Sequence, residues 1–240
     1  MTDLSRARDL DARRARAERI LDTAGALLLR WGYDRVTMED VASQSGVGKG
    51  TVYLHWRTRE ELFVAVLLRE GVAAIEELLA ALRQDPEEAL LDRLTHRLYL
   101  GIMRRPLSRA IFTADLEVLG KLARLSDTPL LAQTTEQTKD YLRLLQEHGL
   151  VRGDLTVDEL FYAYDATLNG FFLSESSPQY GELPIERRAE LVAGIVRRAL
   201  GAEPPAPEVV TTVAARVIEI FGRMADSTLA HLRQGHEERR

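Results

Sequence analysis

Apolar residues recur at helical spacing along almost the whole chain. Ile20, Leu21, Ala24, Leu27, Leu28 and Trp31 mark one face of a helix, and Gly32 stands where a C-terminal cap belongs. Thr37 is a good N-cap with Asp40 three residues on, and Val36 and Val41 occupy hydrophobic-staple positions. Ser45-Gly46-Val47 breaks that short helix, and another runs over about 48–56. Thr58 and Glu61 form a T-x-x-E box that opens a long helix ending near Asp85-Pro86. Further helices are predicted near 87–104, 107–124, 128–149, 156–175, 184–200 and 207–234, punctuated by Pro86, Pro106, Pro129, Pro184 and Pro204-Pro205-Ala206-Pro207. Val209 to Val213 is β-branched, but Val210, Val213, Val217, Ile220 and Met224 continue at helical spacing. Asn169-Gly170 lies between Phe161, Tyr164, Leu168 and Phe172, so Gly170 reads as a close-packing site within a helix rather than a hairpin turn. The pattern predicts an all-α protein.

One stretch carries candidate chemistry. Thr37 to Trp56 reads TMEDVASQSGVGKGTVYLHW, two short helices around a glycine-containing turn, which is helix-turn-helix spacing. Val41, Ala42, Val47 and Val52 suit a steep helix crossing, and Gly46 suits a turn with positive φ. The second helix opens Gly48-Lys49-Gly50-Thr51, small enough for its backbone to approach DNA in a major groove. Lys49 and Thr51 offer donors to bases or phosphates, and Tyr53, His55 and Arg59 offer donors to phosphates. Thr37 marks a helix N-terminus, itself favourable to an anion.

The overall charge of −5 argues against a nucleic-acid partner until it is divided. Residues 1–63 hold eleven Lys or Arg against ten Asp or Glu, so the acid belongs to the remainder. Arg6, Arg8, Arg13, Arg14, Arg16 and Arg19 make a modest basic arm, read as flexible over 1–14. The absence of cysteine excludes disulfides, thiolate metal sites and thiol nucleophiles. No HExxH, Gly-rich phosphate loop or G-x-S-x-G elbow occurs, so no enzyme is indicated and neither cofactor nor metal is expected. MTDLSRARDLDARRARAERI has no apolar core of a secretory signal, and no apolar run approaches a membrane span, so the expected location is cytoplasmic.

Residues from about Ala15 to Leu67 resemble the N-terminal domain of the TetR family of bacterial regulators. The resemblance rests on Ile20-Leu21-x-x-Ala24, Gly32-Tyr33, Thr37-Met38-x-Asp40-Val41-Ala42, Gly46-Val47, Gly50-Thr51-Val52-Tyr53, His55 and Arg59-Glu60-Glu61-Leu62. It implies DNA contacts from Thr37, Lys49, Gly50, Thr51, Tyr53, His55 and Arg59. Trp56, Arg57 and Arg59 depart from the commonest family residues but are chemically compatible. The resemblance also implies a larger helical domain that dimerises and encloses a small ligand. The expected layout is an arm over 1–14, a three-helix DNA-binding domain over 15–63, a regulatory and dimerisation domain over 64–203, and an extension helix over 204–240.

Within the larger domain, His96, Tyr99, Met103, Phe112, Leu116, Tyr141 and Tyr162 are candidates to line a pocket for an apolar or aromatic effector. Phe161, Tyr164, Leu168, Phe172, Leu191 and Ile195 are candidates for the dimer interface. Each is also readable as ordinary core. The function expected is a homodimeric, ligand-responsive repressor on a near-palindromic operator. The competing readings are an activator of the same family, and a helical ligand-binding protein or enzyme without a DNA function.

Overall fold

The computed structural model describes residues 2–122, 129–175, 177–180, 183–202 and 206–237, and these are helical nearly throughout. The helices are α1 (Thr2–Trp31), α2 (Met38–Ser45), α3 (Lys49–His55), α4 (Arg59–Gln84), α5 (Leu91–Arg104), α6 (Pro106–Phe112), α7 (Leu116–Leu119), α8 (Pro129–Glu147), α9 (Val157–Ser174), α10 (Ile185–Leu200) and α11 (Pro207–Glu237). Single 3-10 turns occupy Pro86–Ala89 and Pro178–Tyr180. Among the described residues the only strand-like pairing is one bridge between Val151 and Gly201. No helix there is long and apolar enough to cross a membrane.

Local chemistry sets most of the helix ends. Thr37 and Asp40 make a reciprocal capping box at α2, and Thr156 and Glu159 make another at α9. The Thr58 hydroxyl accepts from the Glu61 amide at α4. Gly46 adopts φ 68° at the end of α2 and returns its N–H to the carbonyls of Ala42 and Ser43.

Apolar faces close two cores. The smaller, the head, gathers Ile20, Ala24 and Leu28 of α1, Val41 of α2, Val52 of α3, Trp56, and Leu62, Phe63 and Val66 of α4. The larger, the body, gathers Leu78 and Leu82 of α4 with α5, α8, α9, α10 and α11. The expected division at residue 63 therefore falls inside α4, which belongs to both cores. Leu107, Ala110 and Leu119 of α6 and α7 also pack in the head core, although they follow α5 in sequence.

Several elements differ from the sequence expectation. Residues 2–14 continue α1 rather than forming a separate arm. They contain neither Gly nor Pro, so nothing interrupts the helix. The helix expected over 87–104 starts only at Leu91, because Leu90 is extended after the 3-10 turn. The helix expected over 107–124 is two helices. Ala114 takes φ 51° between them, a costly conformation for a non-glycine residue, and Asp115 caps the amides of Glu117 and Val118 to start α7. Positions 123–124 of that expected helix, and Pro204-Pro205, lie outside the described residues.

That break lets the body grip the head. The Tyr33 amide donates to the Val118 carbonyl at 2.8 Å. A Cβ at Gly32 would lie 2.3 Å from the Glu117 carbonyl oxygen, and Gly32 also has φ 73°. The glycine is therefore required twice, for its backbone angle and for the close approach. A second tie is α11, which packs along α4, places Val217 and Phe221 in the body core and sets Leu232 against the head core.

Candidate nucleic-acid interface and regulatory site

The helix-turn-helix forms as its spacing predicts. Val41 and Val52 are fully buried between α2 and α3, and Trp56 closes the core behind them. The outer surface of α3 presents Lys49, Gly50, Tyr53 and Leu54, with Thr51 half-buried beside them. Arg8, Arg13, Arg14, Arg16 and Arg19 are exposed along α1, while the Arg6 side chain lies outside the described residues.

Three candidate contacts have other partners. His55 is 3% exposed, and its ring packs against Trp56 with centroids 5.3 Å apart. The inward line of α3 runs through Val52 and His55, so His55 is a core residue rather than a surface donor. Arg59 donates to the Val36 carbonyl at 3.0 Å, with its guanidinium carbon 4.2 Å from the Tyr33 ring centre. It clamps the loop between α1 and α2 from the start of α4. The Thr37 hydroxyl donates to the Asp40 carboxylate at 2.6 Å, and this capping holds that carboxyl below the usual aspartate range.

Lys49 remains exposed but is paired. Its ammonium contacts the Glu39 carboxylate and stands 5.7 Å from the Tyr53 ring centre. The hydrogen bond lowers the pKa of Glu39 and raises that of Lys49. Sequence reasoning missed Glu39, because only the fold brings the first turn of α2 beside the first turn of α3. It also missed Leu54, which is 70% exposed. A search for donors passes over a leucine, but its position opposite Val52 on the helical wheel marks it.

In the body, the seven pocket candidates do not converge. Tyr99 and Phe112 meet on Phe172, with ring centres 5.3 and 5.0 Å from it. Tyr99 is fully buried, and its hydroxyl donates to Glu175, whose other oxygen receives Arg188. Burial, then the carboxylate, push the Tyr99 hydroxyl well above the usual tyrosine range. Met103 is buried in the body core. Tyr141 is core too: its hydroxyl donates to the Ala89 carbonyl at 3.0 Å and its ring meets Phe221. Leu116 and Tyr162 are 69% and 75% exposed, whereas Tyr99 is fully buried. His96 instead borders an open groove of about 390 Å³ with Ala74, Leu78, Leu98 and Gly101.

The interface candidates divide in the same way. Tyr164, Leu168 and Phe172 form the inward line of α9 and are buried in the chain's own core. The Tyr164 hydroxyl accepts from Thr95 at 3.3 Å, and burial pushes its pKa up to about 12. Phe161 and Leu191 are half-buried and Ile195 is exposed. The outer line of α9 carries Tyr162, Ala166, Gly170 and Leu173, all exposed. A Cβ at Gly170 would meet nothing within 4 Å, so it is not a packing site within the chain.

Residues 20–66 match the model of the bacterial regulatory proteins of the tetR family. Among similar proteins, an uncharacterized helix-turn-helix regulator of Mycobacterium bovis is 31% identical over 170 residues, covering 58% of this chain and 89% of that one. A helix-turn-helix transcriptional repressor of Mycobacterium tuberculosis is 29% identical over 195 residues, covering 77% of this chain and 94% of that one. Among solved structures, the fatty acid degradation regulator FadR from Bacillus halodurans shares the fold with a TM-score of 0.61 and 16% identity, over 75% of this chain and 94% of that one. A regulator from Saccharomonospora viridis in complex with choline has a TM-score of 0.58 and 21% identity, over 80% of this chain and 99% of that one.

Proposed function

The chain belongs to the TetR family of bacterial transcriptional regulators, and from that premise we propose that it is a homodimeric repressor that a small molecule releases from its operator. It is a DNA-binding regulator and not an enzyme. The observation that supports its mode of binding is the outer surface of α3, where Lys49, Gly50, Thr51 and Tyr53 stand together on a helix whose other side is locked into the head core. Lys49 and Tyr53 supply charge and a hydroxyl to phosphates or base edges, and Gly50 lets the backbone come close. Thr37 and Arg59 serve beneath them, holding α2 and the preceding loop.

The outer line of α9 with Ile195 of α10 is the proposed dimer seam. Tyr162 and Leu173 present apolar area there, and Gly170 and Ala166 leave room for a partner helix to approach. Two-fold pairing through that line sets two heads at successive major grooves of a near-palindromic site. The effector is proposed to settle beside Phe112, whose ring is 41% exposed where it leans on Phe172. Such a seat favours an apolar or aromatic molecule, while choline in the S. viridis relative shows only what that protein takes. Phe112 ends α6, and α6 packs Leu107 and Ala110 into the head core. An occupant that shifts Phe112 therefore moves the head. A complete switch needs about 5.5 kcal/mol of differential affinity between the two states. Its proposed site of action is the cytoplasm, a reading supported by membership of a family of DNA-binding regulators.

The test is a mobility-shift titration of the purified chain on DNA flanking its own gene, with light scattering beside it. A salt-sensitive, sequence-specific complex of a dimer is expected. A monomer at micromolar concentration, or equal affinity for all duplexes, rejects the proposal.

A further inference from the structure

We infer that Leu54 is a base-reading residue, and that it recognises the C5-methyl group of a thymine in each operator half-site. The inference rests on the DNA-binding reading of α3 and adds a specificity determinant to it. Leu54 is 70% exposed and belongs to neither hydrophobic core. A lone exposed leucine is ordinary on a protein surface. This one is distinguished by its place.

With about 100° per residue, Gly50 and Leu54 fall on the line of α3 roughly opposite Val52, which is fully buried. They are therefore the outermost positions of the helix that faces DNA. Gly50 carries no side chain, and a Cβ there would meet nothing within 4 Å. The helix can thus sink toward a groove floor along this line, and one turn later Leu54 is the first side chain to arrive. Lys49 and Tyr53 flank it with a charge and a hydroxyl. Leucine has no donor or acceptor, so a phosphate or a polar base edge offers it nothing. The major groove displays one apolar group, the thymine methyl, and contact with it is a known way of reading sequence. Burying the leucine there removes apolar area from water on both sides of the contact.

The test begins by selecting an operator from random duplexes with the full-length chain. Each symmetric pair of thymines is then replaced by deoxyuridine, which keeps base pairing and removes only the methyl. One pair should weaken the wild-type complex by roughly fourfold per half-site, the worth of one buried methyl-sized group. Leu54→Ala should bind the parent operator more weakly and be indifferent to deoxyuridine at that pair, with all other positions unchanged. Its thermal melting should match wild type, since the side chain is exposed. Two outcomes overturn the inference alone: an operator whose thymines all tolerate deoxyuridine, or a Leu54→Ala protein that keeps the full loss at the sensitive pair. Failure to select any duplex overturns the DNA-binding reading of α3 as well.

Discussion

The head and the body solve different problems with the same kind of helix. In the head, a short continuous stretch supplies the caps, the turn, the buried wedge and the outward face. Thr37 and Gly46 act on neighbours three or four residues away, and Lys49 reaches Glu39 within the same short stretch. In the body, the chemistry is assembled across the chain: Tyr99 of α5 reaches Glu175 just beyond α9, and Glu175 reaches Arg188 of α10. The difference teaches that a surface for DNA can be built from one local motif, whereas a regulatory core depends on which distant helices meet. The two regions are joined by α4, by α11 and by the α6–α7 break that grips the turn after α1.

The comparison is broken most severely where the body's aromatic cluster is anchored. Phe172→Ala removes the ring on which Tyr99 stacks and Phe112 leans, and Phe172 is only 1% exposed. Truncating a buried phenylalanine costs about 3–5 kcal/mol. Denaturant unfolding should show that loss, and a near-wild-type midpoint would mean the cluster is not a structural anchor.

Gly32→Ala attacks the contact between the turn after α1 and α7. The added methyl meets a backbone oxygen that cannot swing away, and the residue must still hold a positive φ. A loss of about 2–4 kcal/mol is expected from overpacking and the left-handed conformation together. Gly50→Ala is the paired control: its Cβ meets nothing and alanine is the better helix former, so stability should hold or rise by up to about 1 kcal/mol while operator affinity falls. Equal unfolding midpoints for the two variants would show that the contact between Gly32 and α7 yields easily.

Lys49→Ala should separate binding from folding. The side chain is exposed, so unfolding should not move, but operator affinity should fall about tenfold. If Lys49 meets a phosphate, the slope of log affinity against log salt should drop by about one and all sequences should suffer alike. If it reads a guanine, the slope should change less and discrimination at one position should relax.

The same contrast explains what was legible from sequence. The head's helix ends were readable because Thr37-x-x-Asp40, Gly46 and Thr58-x-x-Glu61 are local signals with one physical meaning each. Its outward residues were less so. Residue type marks His55 and Arg59 as donors, yet the wheel of α3 turns His55 inward and the bend after it brings Arg59 under Val36. In the body, the helical period of α9 is legible, but the period alone does not say which line turns inward. Tyr164, Leu168 and Phe172 are the strongest apolar line, and the strongest line goes to the chain's own core. The weaker line of Tyr162, Ala166, Gly170 and Leu173 stays exposed, which is why the proposed seam is placed there. The α6–α7 break was hidden because Ala114 is an ordinary helix former, yet it takes a positive φ beside an α7 whose Val118 carbonyl accepts from the distant Tyr33 amide, a contact that only the tertiary structure supplies.

The smallest predicted effect concerns Glu39, the carboxylate that shares the proposed DNA face. Glu39 holds Lys49 on a surface where both are exposed, so the pair contributes little to stability. Its role should appear in binding, because an approaching phosphate must compete with the carboxylate for the same ammonium. Glu39→Gln should strengthen binding to any duplex by roughly threefold at low salt, with the gain fading as salt screens the exposed charges. The sign with pH follows from the shifts: the Glu39 pKa is lowered and that of Lys49 raised, so the pair persists through the ordinary glutamate range and is lost only as pH falls below it. Between about pH 6 and 8 both groups stay charged, and the ratio of the two proteins' affinities should be flat. Filter binding on operator and on random duplex across salt and pH measures this. A gain confined to the operator would instead make Glu39 a reader of bases, and the head's surface would then be specified by its acids as well as its bases.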